Sequence, residues 1–464
     1  MYSNSRQLTG QQEPELHNMK LLKGIFVYLI ITLLLMPQYF GVHLGYDLTC
    51  SRLADLLLLA YMLLCPMVMT IFWRSATRCA IFYPLMLYLF VAAYTMVLRA
   101  DINAFFLVFL EVFTTFLMIF GIRYVLGYKK ALRLIVGCAY FLAIYGFIEY
   151  IYGKSLYLQF LRTMPTNVTN YYRSGHYRIM GPCGHSLGYG LLLLIFIAVI
   201  SYDPDRDELY LFHRPVLMAM LLLNVFLTGS RSTLGIAAME CFLILLFSKG
   251  TSLKKTLVFS VLLLSVFLAL LFMLQNTGIG RYFMGQLMSI VDQFCGTNLA
   301  EKYGIDSTTL QNSTNYRKML PYIFTLDWLN PILGRGNRFN GAEIQGVYIH
   351  SIDNYYVSQF IKYAYPGLIS YILFILTAVS VLIYEICRYK SGLAKMVLIG
   401  TFCYFLNLWW LDALQTLKFV YLLLAVFFAY QLERKDLEKR MLTGKNKKIV
   451  PKETIAVQAE EQKL

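Results

Sequence analysis

Apolar stretches long enough to cross a lipid bilayer recur along this 464-residue chain, and they decide its fold class before any motif is read. A hydrocarbon core of about 30 Å needs roughly 20 apolar residues in a helix, because backbone groups in lipid must satisfy one another. About twelve segments approach that requirement: 24–40, 53–73, 79–98, 101–120, 132–152, 186–202, 212–227, 231–248, 253–274, 356–386, 393–411 and 413–430. With 58% of residues hydrophobic and 14% charged, too little polar surface remains to cover a soluble core of this size. The expectation is an all-α polytopic membrane protein with about 12 transmembrane helices. One membrane domain spans 1–430, and a charged, partly disordered cytoplasmic tail follows at 431–464. No cleavable signal pattern is evident: a polar stretch of about twenty residues precedes the first apolar segment, without a small-residue cleavage site.

The net charge of +15 reads as orientation rather than as a nucleic-acid surface, because Lys and Arg gather in short connections. Lys20 and Lys23 precede the first span, and Arg74 and Arg78 follow the second. Arg123, Lys129, Lys130 and Arg133 fall in another connection, as do Lys249, Lys254 and Lys255, and again Arg388, Lys390 and Lys395. All lie on one side if the count is even and both termini are cytoplasmic. The one weak member is "DPDRDELYLFHR" at 203–214, which has as many acids as bases or more. Two long connections then face outward, roughly 153–185 and 275–355, the second a large extracytoplasmic loop between spans 9 and 10. Loops of such length are usually functional. The amphipathic "RYFMGQLMSIVDQF" within the second is expected to lie along the outer membrane surface.

Three outward segments carry the unusual chemistry. "RSGHYRIMGPCGHSLGYG" brings Arg173, His176, Arg178 and His185. "LTGSRSTLG" brings Ser230 and Arg231; "GRGNRFNG" and "YIHSIDNYY" bring Arg335, Arg338, His350, Asp353 and Asn354. Each leads into a helix whose positive N-terminal end points outward, where further cations are unfavourable unless an anion occupies the spot. Guanidinium groups grip phosphate with a planar fork, so the pattern reads as a phosphate site at the membrane boundary. Asn354 and Asp353 also suit the cap of the tenth helix. No phosphate-cradling GxxxxGK[ST], no HExxH and no zinc-type Cys/His spacing occurs, so no metal and no cofactor is expected. The nine cysteines form no CxxC pair; Cys183 and Cys295 are the two that an oxidising outer face would allow to bridge. The 36 Tyr and 33 Phe suit interfacial belts.

In order and sidedness, "RIMGPCGHSLGYG", "TGSRSTLG", "LGRGNRF" and "DNYYVSQFIKYAYPG" resemble the motifs of the O-antigen ligase and O-antigen polymerase superfamily of bacterial envelope glycosyltransferases. The resemblance covers most of the chain in topology and only short motifs in sequence. The chain departs from it twice. Asp353 stands where ligases have His before Asn354, with His350 three residues earlier, and Ala364 stands where the first Gly of a pair is expected, with Gly367 in place.

The resemblance implies a substrate, a glycan on undecaprenyl diphosphate, and a place in the bacterial inner membrane. It also implies partner proteins that set chain length or flip the substrate. No nucleic acid is expected, and membrane lipid is. The reaction implied is polymerisation of lipid-linked repeat units at the outer face, the alternative being ligation of finished glycan to lipid A core or protein. Arg178, Arg231 and one of Arg335 or Arg338 would stabilise the leaving diphosphate, with His185 and Asn354 as further substrate contacts. His350 or Asp353 would act as base; a helix that begins early would set His350, Asp353 and Asn354 on one face. A reading of another class, a lipid-linked oligosaccharide flippase or other transporter, rests on the in-span acids Glu111, Glu149 and Glu240.

Overall fold

The computed structural model describes residues 20–44, 47–165, 167–173, 175–248, 250–305, 315–337, 339, 341–344, 346–349 and 352–442. The fold is all-α: α1 (Lys20–Leu35), α2 (Cys50–Leu64), α3 (Pro66–Thr77), α4 (Phe82–Arg99), α5 (Ile102–Gly121), α6 (Tyr128–Tyr152) and α7 (Leu156–Phe160). Then come α8 (Ser186–Ile200), α9 (Pro215–Leu227), α10 (Arg231–Phe247), α11 (Gly250–Leu274), α12 (Gly278–Cys295), α13 (Tyr355–Tyr389), α14 (Gly392–Asn407) and α15 (Leu417–Leu442). Sheet is confined, among the described residues, to small antiparallel hairpins such as 172–173 with 176–177.

Each predicted span contains a helix, but their lengths differ from expectation. Among the described residues, four helices are long and apolar enough to cross a membrane: Phe82–Arg99, Ile102–Leu126, Tyr128–Tyr152 and Tyr355–Tyr389. The segment expected at 53–73 is two helices bent by 115°, which would make a fifth crossing if taken together. Pro66 explains the break: it lacks the N–H that would bond to Met62 and sits at the first position of α3, where that loss costs nothing. Ser186–Ile200, Pro215–Leu227 and Gly392–Asn407 are apolar but shorter. Helix α8 is buried almost all round, as suits a helix at the centre of a bundle.

Hydrogen bonds at the two ends of neighbouring helices show how they run. Lys129, at the start of α6, pairs with Asp205 just after α8. Glu149, near the end of α6, accepts from the backbone N–H groups of Met180 and Gly181, just before α8. The two helices are therefore antiparallel. Basic connections gather at the Lys129 end, where Arg78 and Arg123 pair with Asp436. There Asp207 also accepts from the N–H groups of Gly392 and Leu393 at 3.0 and 2.9 Å. The segment after 430 is helical as far as Leu442, with Arg434 bound to the buried Glu385.

Helix α13 is interrupted at Ala364, where φ is 55° and ψ −162°. Pro366 cannot donate to the carbonyl of Lys362, and the N–H of Tyr365 turns away to Pro331. The freed carbonyls of Ile361 and Lys362 accept instead from the N–H groups of Arg335 and Gly336, at 2.8 and 3.0 Å. The "LGRGN" segment is thus docked into the break. It is held further by Arg99, which donates to Gly334, and by Asp101, which accepts from the N–H of Asn337. Gly334 has no Cβ for a structural reason, since one would overlap the Lys362 carbonyl. All nine cysteines are free, so Cys183 and Cys295 do not bridge.

Candidate functional site

Arg173, Arg178, Arg231 and Arg317 come together at the end of the bundle opposite Asp436. Arg173 and Arg178 lie on and beside the hairpin 172–177, which Glu149 anchors: its carboxylate accepts from the Tyr177 hydroxyl and from the N–H groups of Met180 and Gly181. Glu149 is therefore a structural anchor within the fold. Arg178 is fixed by its Nε–H bond to the Thr228 carbonyl at 2.7 Å, and Arg173 bonds the Gly229 carbonyl at 3.4 Å. The turn "TGSR" thus receives both. Gly229 adopts φ 61°, and a Cβ there would meet the Tyr282 hydroxyl at 2.7 Å and Arg178 Nε at 3.1 Å. Glycine is what allows this close approach.

Arg231 is the first residue of α10, after the N-cap Ser230. Arg173, Arg317 and Arg178 all act on it electrostatically, and its guanidinium makes no hydrogen bond or ion pair among the described residues. Burial pushes Arg178 down to about 10, with Arg173 adding to the effect and Tyr282 and Tyr171 opposing it. Arg173 is lowered by burial first, then by Arg317, against Tyr282. A guanidinium stays protonated in proteins, so the lowering expresses the unfavourable free energy first of burying these charges and then of gathering them. A bound anion would offset it.

Helix α12, from the large loop, closes this cluster from the side. Its ring Tyr282 packs against His176 with centroids 4.6 Å apart, and Phe283 packs on Phe226. Tyr282 is only 2% exposed, yet its hydroxyl finds no hydrogen-bond partner among the described residues. A buried hydroxyl left unmatched costs about 1–3 kcal/mol, which a ligand oxygen beside the arginines would remove.

Next to the cluster lies a cavity of about 680 Å³, lined by Arg52, Tyr88, Glu111, His185, Lys362 and Asp412 among others. Tyr171 joins the two regions: it lines the cavity, and its carbonyl accepts from the N–H of Arg178 at 2.9 Å. His185 caps α8, its Nδ1 accepting from the N–H of Leu187 at 3.1 Å, so Nε2 carries the proton. Burial, and then Arg178, push its pKa down to about 4. It faces the cavity neutral, as a hydrogen-bond donor rather than as a cation.

The motif that enters α13 is arranged differently from the expected shared face. The helix begins at Tyr355, so the described residues Asp353 and Asn354 precede it rather than lying on its face. Asn354 is its N-cap, accepting from the N–H of Val357 at 3.1 Å and donating to the Trp409 carbonyl at 2.9 Å. Both ends of its amide serve the fold. Asp353 lies 3.6 Å from Arg317. Arg335 is engaged elsewhere, stacked over Trp328 at 4.5 Å and bonded to that residue's carbonyl. His350 and Arg338 lie outside the described residues. The structure thus unites Arg178 and Arg231, adds Arg173 and Arg317, and brings in Tyr282, Lys362 and Asp412. Among the described residues, no cluster of His, Cys, Asp and Glu could hold a metal ion. No protein-family model matches the chain, and no curated protein is recognisably similar to it in sequence.

Proposed function

We propose that this protein is a membrane glycosyltransferase that polymerises undecaprenyl-diphosphate-linked oligosaccharide repeat units at the outer face of the bacterial inner membrane. The observation that carries the reading is Arg231, a guanidinium without a hydrogen-bond or ion-pair partner among the described residues, at a helix N-terminus beside Arg173, Arg178 and Arg317. Helix end and guanidinium groups together make a seat for a diphosphate. In this reading the chain crosses the membrane about twelve times, with both termini cytoplasmic, and the arginine cluster sits at the outer boundary. The adjoining cavity, walled by tyrosines and polar side chains, receives the sugars.

The transfer breaks the bond between the anomeric carbon and the diphosphate, and negative charge grows on the departing oxygen. Fixed donors that already face that oxygen stabilise the change without reorganising. Arg231 and Arg178 fill this role, with Arg173 and Arg317 behind them.

The test is the glycan ladder of cells lacking the protein, complemented with wild type or Arg231→Ala at matched expression. Loss of the ladder with single repeat units still reaching surface lipid supports polymerisation. Finished polymer stranded on the carrier lipid indicates ligation instead. Repeat units held on the cytoplasmic side overturn the proposal in favour of transport.

A further inference from the structure

The connection between α14 and α15 places a carboxylate, Asp412, on the wall of the cavity. Three bonds tie this connection to the helix ends that frame the arginine cluster. Asn407 donates to the Thr233 hydroxyl in the first turn of α10 at 3.1 Å. Asn354 donates to the Trp409 carbonyl, and the Tyr355 N–H donates to the Leu408 carbonyl at 3.0 Å. Leu414 and Gln415 continue the connection with positive φ, at 47° and 61°, and Thr416 bonds Tyr404 at 2.7 Å. The carboxylate is therefore held in register with both Arg231 and the Asp353–Asn354 motif.

Asp412 Oδ1 accepts from the N–H of Ala413 at 2.8 Å, and Oδ2 makes no hydrogen bond among the described residues. A fixed carboxylate with one oxygen anchored and one available is what proton abstraction from a bound hydroxyl requires. Asp353 is less suited, because Arg317 lies against it. Asp412 and Asp353 nevertheless sense each other's charge, and Lys362, also on the cavity wall, acts on Asp412.

We propose that Asp412 is the general base of the glycosyl transfer. This inference rests on the function proposed above. The acceptor is a sugar hydroxyl lying in the cavity. Its oxygen forms a bond to the anomeric carbon of the donor as the bond from that carbon to the diphosphate oxygen breaks. The bonding pair leaves on the diphosphate, against the arginines. The hydroxyl proton passes to Asp412 Oδ2 and from there to water in the cavity. Burial raises the pKa of Asp412 above the ordinary carboxylate value, with Asp353 adding and with Lys362 and the Ala413 N–H opposing. A raised pKa makes the carboxylate a better proton acceptor.

The experiment uses the full chain in lipid nanodiscs, with lipid-linked oligosaccharide extracted from cells that lack the protein. Chain growth is followed for wild type and Asp412→Asn, and binding is measured separately with undecaprenyl diphosphate alone. The expected result is a fall in kcat of about 100-fold or more, with carrier binding unchanged. A kcat for Asp412→Asn close to that of wild type overturns the assignment of Asp412 and leaves the glycosyl-transfer reading intact. A wild type that extends no lipid-linked oligosaccharide overturns both. If Asp412→Asn does not fold, Asp412→Glu replaces it: moving the carboxylate by one methylene is expected to cut kcat by about tenfold with carrier binding unchanged, since proton transfer depends on reach. An undiminished rate overturns the proposal.

Discussion

Replacing Ala364 by glycine should make this protein more stable, against the usual effect of glycine in a helix. Ala364 has φ 55° and ψ −162°, close to a region that only glycine occupies without strain. Holding a side chain there costs about 1–3 kcal/mol. Glycine gives back about 0.5–1 kcal/mol through the greater freedom of the unfolded chain. The net expectation is stabilisation of about 1 kcal/mol. The internal control is Ala378→Gly, a fully buried and regular helical position farther along α13, where the same substitution costs about 1 kcal/mol in propensity alone. Thermal unfolding in detergent, followed by tryptophan fluorescence, should move the midpoint upward for Ala364→Gly and downward for Ala378→Gly. If both variants fall together, Ala364 is not strained and the account of the helix break is wrong.

Four further outcomes are expected. Arg231→Ala should lower the rate of chain growth by about 10²–10³, and Arg231→Lys should recover only part of it because a single ammonium lacks the fork; in vitro polymer assembly measures both. Tyr282→Phe should leave thermal stability unchanged or raised, since the lost hydroxyl has no partner among the described residues, while weakening undecaprenyl diphosphate binding by about tenfold, as a bond to a charged oxygen is worth about 1.5–3 kcal/mol. Glu149→Gln puts an amide donor among three donor groups, Tyr177, Met180 and Gly181, and should cost about 1–3 kcal/mol, read as a lowered thermal midpoint with faster proteolysis of the 172–185 segment. His185 takes up its proton in the folded state only near pH 4, against 6.5 for the ordinary imidazole; the unfolded chain therefore binds more protons between these values, and stability should fall as pH drops from about 6.5 towards about 4. His185→Asn should flatten that slope in melts taken across the same range.

The helical segments are legible in the sequence because apolar runs in lipid or in a bundle core have few alternatives to helix. Their lengths are less legible. Pro66 reads as a residue inside one long apolar stretch, and only the packing of α2 and α3 reveals the sharp bend. Arg178 and Arg231 stand out in the sequence as cations in connections that the positive-inside pattern assigns to the cation-poor side. Arg317 does not, because a long loop has no register from which to place it. Tyr282 is one tyrosine among 36, and its missing partner is a property of three dimensions. Asp412 was accessible as a lone acid between two apolar segments, in "WWLDALQ", but nothing local ties that loop to Asn354 or Thr233. Asn354 is the reverse case: its capping role is read directly from its position before an apolar run.

The docking of residues 331–336 into the break of α13 has a consequence for how the chain is made. The loop segment leaves the ribosome before its receptor does, since Ile361 and Lys362 come later in the chain. Its backbone donors at Arg335 and Gly336 must wait for a helix that is still being synthesised and inserted. The segment 331–336 therefore acquires its native bonds only after α13 is in place. A chain truncated before Ile361 would present the arginine-bearing hairpin and turn while residues 331–336 had nothing to dock into. Biogenesis thus sets the order in which the loop and the helix break become one structure.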